Sequence, residues 1–262
     1  MQRLLLLLGL SLLLTSPVRA DAGHLDRVRA AKELRVCTWP AYYGIAYRHP
    51  QTQQLTGLDV DMARAFANDL GVALRFVDSS FAKLIDDVTQ DRCDIAMFGV
   101  GITPSRAEKL RFTRAYLVSD MVAITTRSNR RIKDWSDIDK PGVVVAVLRG
   151  TLHEPVLRDK LKAATLVVVD SQQAREQEVE SGRADVFMTD APYSQRMLDN
   201  IDWARAVKPP VPYHLTPYAY AMQPGDEPWQ ARVEQFVAAI QRDGRPLDSA
   251  RRHKLDAILA AP

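Results

Sequence analysis

The sequence is poor in cysteine: Cys37 and Cys93 are the only two among 262 residues, and neither sits in a metal-ligand or nucleophile pattern. Its five histidines include no HxxxH pair, and neither a Gly-x-x-x-x-Gly-Lys-Ser/Thr loop nor a Ser-His-Asp order occurs. Zincin, P-loop and serine-hydrolase chemistry therefore lack their residues. Long apolar runs are also missing. The longest, Leu4 to Leu14, is too short to cross a bilayer and follows the positive Arg3, with Val18-Arg19-Ala20 as a small-residue cleavage site. That pattern predicts a leader over residues 1–20, cut after Ala20, and an exported, soluble product in the periplasm. Charge of one sign is lacking too, since removing Arg3 and Arg19 lowers the formal charge from +3 to +1. Such a balance gives no footing for nucleic-acid binding.

What is present is alternation. Strands are predicted at Leu34–Trp39, Ala73–Asp78 and Asp94–Phe98, with helices at Val60–Leu70 and Phe81–Gln90 between them. After Tyr116 the pattern restarts with strands at Met121–Thr126, Val143–Val147, Leu166–Val169 and Val186–Thr189. Helices are expected from Glu154, over Ala174–Gly182 and from Pro192. This order predicts α/β lobes with mostly parallel sheets. The stiff run Lys208-Pro209-Pro210-Val211-Pro212 then leads into a strand at Tyr218–Met222 and helices near Trp229–Asp243 and Leu247–Leu259. We expect the chain to cross between lobes twice, near Leu117 and Pro217. That puts residues 21–117 and 218–262 in the first lobe and 118–217 in the second. Cys37 lies near the end of its strand and Cys93 at the start of its own. In a parallel pairing that offset exceeds the ~7 Å a disulfide tolerates, so two buried thiols are expected.

Asp91 to Asp120 carries the strongest functional signal. Ile95–Phe98 reads as a buried strand, Gly99 and Gly101 free the backbone for close approach, and Thr103-Pro104 reads as an N-cap with proline at the first helical position. Arg106 follows, and its planar fork of donors matches a carboxylate. A weak internal echo links Asp91–Met97 with Gly182–Met188. Each copy delivers a polar loop to the carboxyl edge of a sheet, where open α/β sheets bind ligands. The first copy brings Gly99, Gly101 and Arg106; the second brings Thr189 and Asp190. A cation in one lobe then faces an anion in the other, and a zwitterion suits the gap. Asp190 also fits the simpler role of capping the helix near Pro192, while Asp59 and Asp61 read as structural acids favouring a helix start. Trp39, Tyr42 and Tyr43 follow the first strand directly, and Trp39 and Tyr43 are the pair expected to stack on a ligand.

The blocks Gly57–Met62, Gly101–Arg106, Phe112–Tyr116, Gly150-Thr151 and Ala184–Asp190, in this order, resemble the periplasmic solute-binding proteins of the polar amino acid type, family 3. The likeness runs from about Leu34 to Leu259. It implies a type II periplasmic binding protein of α/β class, whose two lobes close about a hinge of two crossings. It implies a monomer that presents an amino acid-like ligand to the membrane subunits of an ABC importer, with no cofactor and no metal. By the same resemblance Arg106 takes the α-carboxylate and Asp190 the α-ammonium. Trp39, Phe81, Phe98 and Gly99 lie around the ligand, joined by Gly101, Thr151 and Leu152. Phe98, Gly101 and Leu152 stand where hydroxyl residues are frequent, which implies a more apolar pocket, and Trp39, Phe81 and Phe98 favour a neutral or apolar side chain over a basic one. The chain also resembles the cyclohexadienyl dehydratases, exported relatives that act on prephenate or arogenate. These place an acid two residues beyond the threonine of the Gly-Thr turn. Here His153 holds that position and Glu154 follows it, so binding is the leading expectation and dehydration the alternative.

Overall fold

The computed structural model describes residues 23–260; the expected leader and its cleavage point lie outside them. In chain order, α1 (His24–Ala31) precedes β1 (Glu33–Thr38), the short strands β2 (Ala41–Tyr42), β3 (Ala46–Arg48) and β4 (Leu55–Thr56), then α2 (Leu58–Leu70), β5 (Ala73–Asp78) and α3 (Leu84–Thr89). Next come β6 (Ile95–Gly101), α4 (Pro104–Ala107), β7 (Arg111–Phe112), β8 (Leu117–Ser119) and β9 (Met121–Thr126). The middle of the chain forms β10 (Val144–Leu148), α5 (His153–Lys160), β11 (Thr165–Val169), α6 (Gln172–Glu180), β12 (Val186–Asp190), α7 (Ala191–Asn200) and β13 (Ala204–Val207). It closes with β14 (Thr216–Met222), α8 (Glu227–Asp243) and α9 (Arg245–Arg252).

Two large sheets organise these elements. The first runs β5-β1-β6-β14-β7 with β8 beside β14, and the second runs β11-β10-β12-β9-β13. Each has a parallel βαβ half and an antiparallel return: β1 is parallel to β5 and β6, and β10 to β11 and β12, while β14 and β9 run against their neighbours. Every residue of β6 is buried, as a continuous apolar run between two covered faces requires. Helix α8 lays Trp229, Val233, Phe236, Val237 and Ile240 on this sheet at helical spacing. Gly57 opens α2 at φ 137, and a Cβ there would meet the Ile45 carbonyl oxygen at 2.3 Å, so only glycine fits.

The chain leaves the first sheet at β8 and re-enters it at β14, and these two strands pair, with Pro217 opposite Val118. Between β8 and β9, Asp120 holds the crossing strands together: its carboxylate accepts the amides of Met121, Tyr213 and His214 at 2.7–2.8 Å.

Two expectations need correction. The cysteines form a disulfide, with Cα atoms 5.5 Å apart. The residues before β6 do not run in line with it: Asp91 adopts φ 56, and the Arg92 amide bonds back to the Asp87 carbonyl. That turn brings Cys93 next to Cys37 instead of leaving it offset along the strand. The last helix stops at Arg252 rather than reaching Leu259, because the Leu255 amide closes on Ala250 and Lys254 turns left-handed. The tail instead lies against Leu117 and Tyr116.

Candidate functional site

Arg106 is placed by the end of β6. Thr103 caps α4 by accepting the Arg106 amide, and Pro104 starts the helix, so the guanidinium turns back under the strand. It is 5 % exposed. Nη1 donates to the Gly101 carbonyl at 2.9 Å, and Nη2 donates to the Gly150 carbonyl at 3.1 Å. Gly150 follows β10 of the second sheet, so Arg106 spans the cleft. The approach there is close: at φ 77, a Cβ on Gly150 would meet Ala82 Cα at 2.7 Å. Burial pulls the Arg106 pKa down to about 10, partly opposed by Tyr218 and Tyr42. The group stays charged at neutral pH, with carbonyl dipoles rather than a carboxylate for partners.

Asp190 ends β12 and caps α7, accepting the Tyr193 amide at 3.2 Å through one oxygen. The other oxygen accepts the hydroxyls of Tyr42 and Tyr218, the latter at 2.6 Å. Both tyrosines belong to segments packed on the first sheet, so Asp190 spans the cleft from the opposite side. Burial raises its carboxyl pKa, and the two hydroxyls, the Tyr193 amide and the nearby Arg175 charge pull it back down. Capping and cross-cleft contact, which compete as readings of the sequence, coexist here.

An aromatic wall lines the first-lobe side. Trp39 packs on Phe81 at 5.0 Å and on Tyr42 at 5.3 Å, and Phe98 lies behind Phe81 at 5.2 Å, wholly buried. Arg106 sits over the Phe81 ring at 5.3 Å. Tyr43 does not join this wall. It turns to Tyr47 at 5.4 Å, on a surface shared with Arg252 and Lys254. The aromatic that reaches the cleft is its neighbour Tyr42, which ends β2 buried, whereas Tyr43 lies past the strand in the turn that follows. Gly99 lines the cleft at φ 63 against the Tyr42 ring, and Gly101 leaves room for Leu152, whose methyl would meet a Cβ at 2.6 Å. Thr151 lines the cleft too, its hydroxyl bonded to the Leu148 carbonyl at 2.7 Å.

Glu154 is not among the residues that line the cleft. It accepts the Gly150 amide at 3.1 Å and pairs with Arg158 at 2.9 Å, a helix-start role. His153 points into the cleft, and burial drives its pKa down to about 3, helped by Arg175 and Arg106. It is therefore neutral at pH 7, and both ring nitrogens lack a hydrogen-bond partner among the described residues.

Sequence reasoning missed Arg175, Tyr218 and Tyr193, which also line the cleft. Arg175 lies in a run of polar helical residues that reads as an exposed face, yet it is 2 % exposed. No local signal marks it; its burial comes from the Phe187 and Tyr193 rings, 4.5 and 4.4 Å from the guanidinium carbon. Away from the cleft, His24, Asp91 and Asp94 cluster at metal-ligand distances. Arg35 already pairs with both carboxylates, at 2.7 and 2.6 Å, so that cluster is an ion-pair network rather than a cation site.

The model of the bacterial extracellular solute-binding proteins, family 3, matches residues 34–252. The chain belongs to this family. Among its relatives, a cyclohexadienyl dehydratase of Pseudomonas aeruginosa is 33% identical over 236 residues, covering 90% of this chain and 87% of that protein. A putative ABC transporter arginine-binding protein 2 of Escherichia coli K12 is 27% identical over 231 residues, covering 85% of this chain and 91% of that one. Among solved structures, the ancestral amino acid-binding protein AncCDT-1, a precursor of cyclohexadienyl dehydratase, superposes with a TM-score of 0.80 at 29% identity. The match covers 87% of this chain and 98% of that one. The family-3 solute-binding fold is thus the fold of this chain: two α/β lobes flanking a cleft.

Proposed function

We propose that this protein is the periplasmic substrate-binding component of an ABC importer and that its lobes close on a small amino acid-like ligand. The observation that carries this reading is the pair of reciprocal bridges: Arg106 reaches Gly150 on the second lobe, and Asp190 reaches Tyr42 and Tyr218 on the first. A carboxylate offered to Arg106 forms charge-assisted bonds that the two carbonyls cannot match. An ammonium offered to Asp190 pairs with a buried carboxylate already aimed across the cleft. Both groups contact the ligand fully only when the lobes meet, so the ligand favours the closed state by differential affinity. Trp39, Phe81, Gly99, Thr151 and Leu152 form the walls. Phe98 supports Phe81 from behind, and Gly101 lets Leu152 approach.

The relatives named as amino acid-binding support this class of cargo, and the dehydratase relative keeps a second reading in play. His153 favours it by standing in the cleft, but as a neutral imidazole with a pKa near 3 it is a weak proton donor or acceptor at pH 7. Thermal unfolding against the twenty L-amino acids and prephenate separates the two. Ligand at 100 times its Kd adds ~2.7 kcal/mol, about 5–10 °C for a chain of this size. We expect that shift from an amino acid, with no consumption of prephenate; turnover of prephenate would replace the transport reading with the enzymatic one.

A further inference from the structure

Arg175 has an unfinished hydrogen-bond inventory. Its guanidinium is clamped between Phe187 and Tyr193, and Nη1 donates to the Met188 carbonyl at 3.2 Å. Nε and Nη2 have no partner among the described residues, although both are buried. These two donors form one edge of the guanidinium fork, the edge that takes a carboxylate in parallel bonds. Beside it stands His153, with two more unpartnered nitrogens, and both residues line the cleft. Buried donors left unpaired are costly, and Asp190, the anion that feels the Arg175 charge, makes no hydrogen bond to either of these two nitrogens among the described residues.

Charge points the same way. Arg175 lines the cleft and Arg106 reaches across beside it, while Asp190 is the single carboxylate lining it among the described residues; Asp190 feels the Arg175 charge, but both its oxygens already accept from Tyr193, Tyr42 and Tyr218. A zwitterion with a neutral side chain would leave this surplus cation unmatched, and one with a basic side chain would enlarge it.

Resting on the binding reading above, we propose that Arg175 and His153 form a second anion subsite and that the cargo carries an acidic side chain in addition to its α-carboxylate. Arg106 then holds one carboxylate and the Nε/Nη2 edge of Arg175 the other. The imidazole of His153 donates one further hydrogen bond. This replaces the apolar cargo that Phe98, Gly101 and Leu152 suggest in the sequence: those residues shape one wall, and the charged wall comes from a helix whose role only the fold reveals.

Near-isosteric pairs test the subsite without any mutation. Calorimetry on the purified protein compares L-glutamate with L-glutamine and L-aspartate with L-asparagine, with L-arginine and prephenate alongside. The expected result is that the acid of at least one pair binds roughly 10- to 100-fold tighter than its amide, with L-arginine weakest. Arg175→Met should level the pair, whereas Arg175→Lys, which keeps the charge but not the fork, should retain part of the preference. Amides binding as tightly as acids, or L-arginine binding tightest, would overturn the subsite and leave the amino acid reading standing. Prephenate binding while no amino acid does would overturn that reading but support the subsite, since prephenate carries two carboxylates. No binding by any of these probes would overturn both.

Discussion

Buried charge sets the behaviour of single residues here. Arg106 is satisfied by two carbonyls and packs over Phe81, so its truncation removes buried contacts as well as the cation proposed to meet the ligand carboxylate. Arg106→Ala should weaken binding by about 2–5 kcal/mol and also lower the unfolding temperature, and calorimetry on the folded variant separates the two effects; undiminished affinity would remove Arg106 from the site. Asp190 has two jobs that one substitution separates. Asparagine caps helices as well as aspartate does, so Asp190→Asn should keep α7 intact while losing the charge. Affinity should then fall while stability stays close to wild type, and a large loss of stability with normal affinity would make Asp190 a cap alone. Asp59 behaves unlike an ordinary helix-start acid. Wholly buried, it accepts the Gly99 amide at 2.7 Å and the Tyr116 hydroxyl at 2.5 Å, which ties a cleft glycine to the core. Burial raises its pKa from 3.8 to about 7, against the pull of those bonds. A carboxyl raised in the folded state binds more protons there than when unfolded, so its contribution favours folding at low pH and is lost as pH rises from about 4 to about 7. Urea titrations should show wild type losing stability relative to Asp59→Asn across that window; parallel curves would contradict this.

At the scale of elements, the strand-helix alternation, the capped turn before Arg106 and the loop at the end of β12 are legible because each rests on local chemistry: apolar runs, Thr-Pro capping, glycine where φ is positive. The features that sequence misses depend on where elements meet. The Cys37–Cys93 bond follows from a left-handed turn at Asp91, which no spacing rule anticipates. It closes a loop of 56 residues, for which the chain-entropy estimate is ~4 kcal/mol. Replacing both cysteines with alanine should lower the unfolding free energy by up to that amount in urea; no change would mean that the loop is already held by its packing. Arg175 is hidden for a similar reason, since Gln172–Glu180 is polar apart from Ala174 and Val179, and docking on Phe187 and Tyr193 turns one arginine inward beside Val179. The choice of Tyr42 over Tyr43 hangs on where a strand two residues long ends and its turn begins, below what pattern reading resolves.

At the scale of the whole molecule, the hinge and the cleft form one system. The crossing strands β8 and β14 pair directly, Asp120 binds the segments beside them, and the site lies where both lobes present strand ends. On the binding reading proposed above, the bridges made by Arg106 and Asp190 exchange on closing: carbonyl for carboxylate on one side, tyrosine hydroxyl for ammonium on the other. A cleft built this way gains little from closing empty and much from closing on a ligand that matches both charges. Small-angle X-ray scattering on the purified protein, with and without the amino acid that raises its unfolding temperature most, tests this directly. The account predicts a smaller radius of gyration with ligand, and loss of that compaction in Arg106→Ala at the same ligand concentration. Identical scattering with and without a saturating ligand would contradict closure as the consequence of binding.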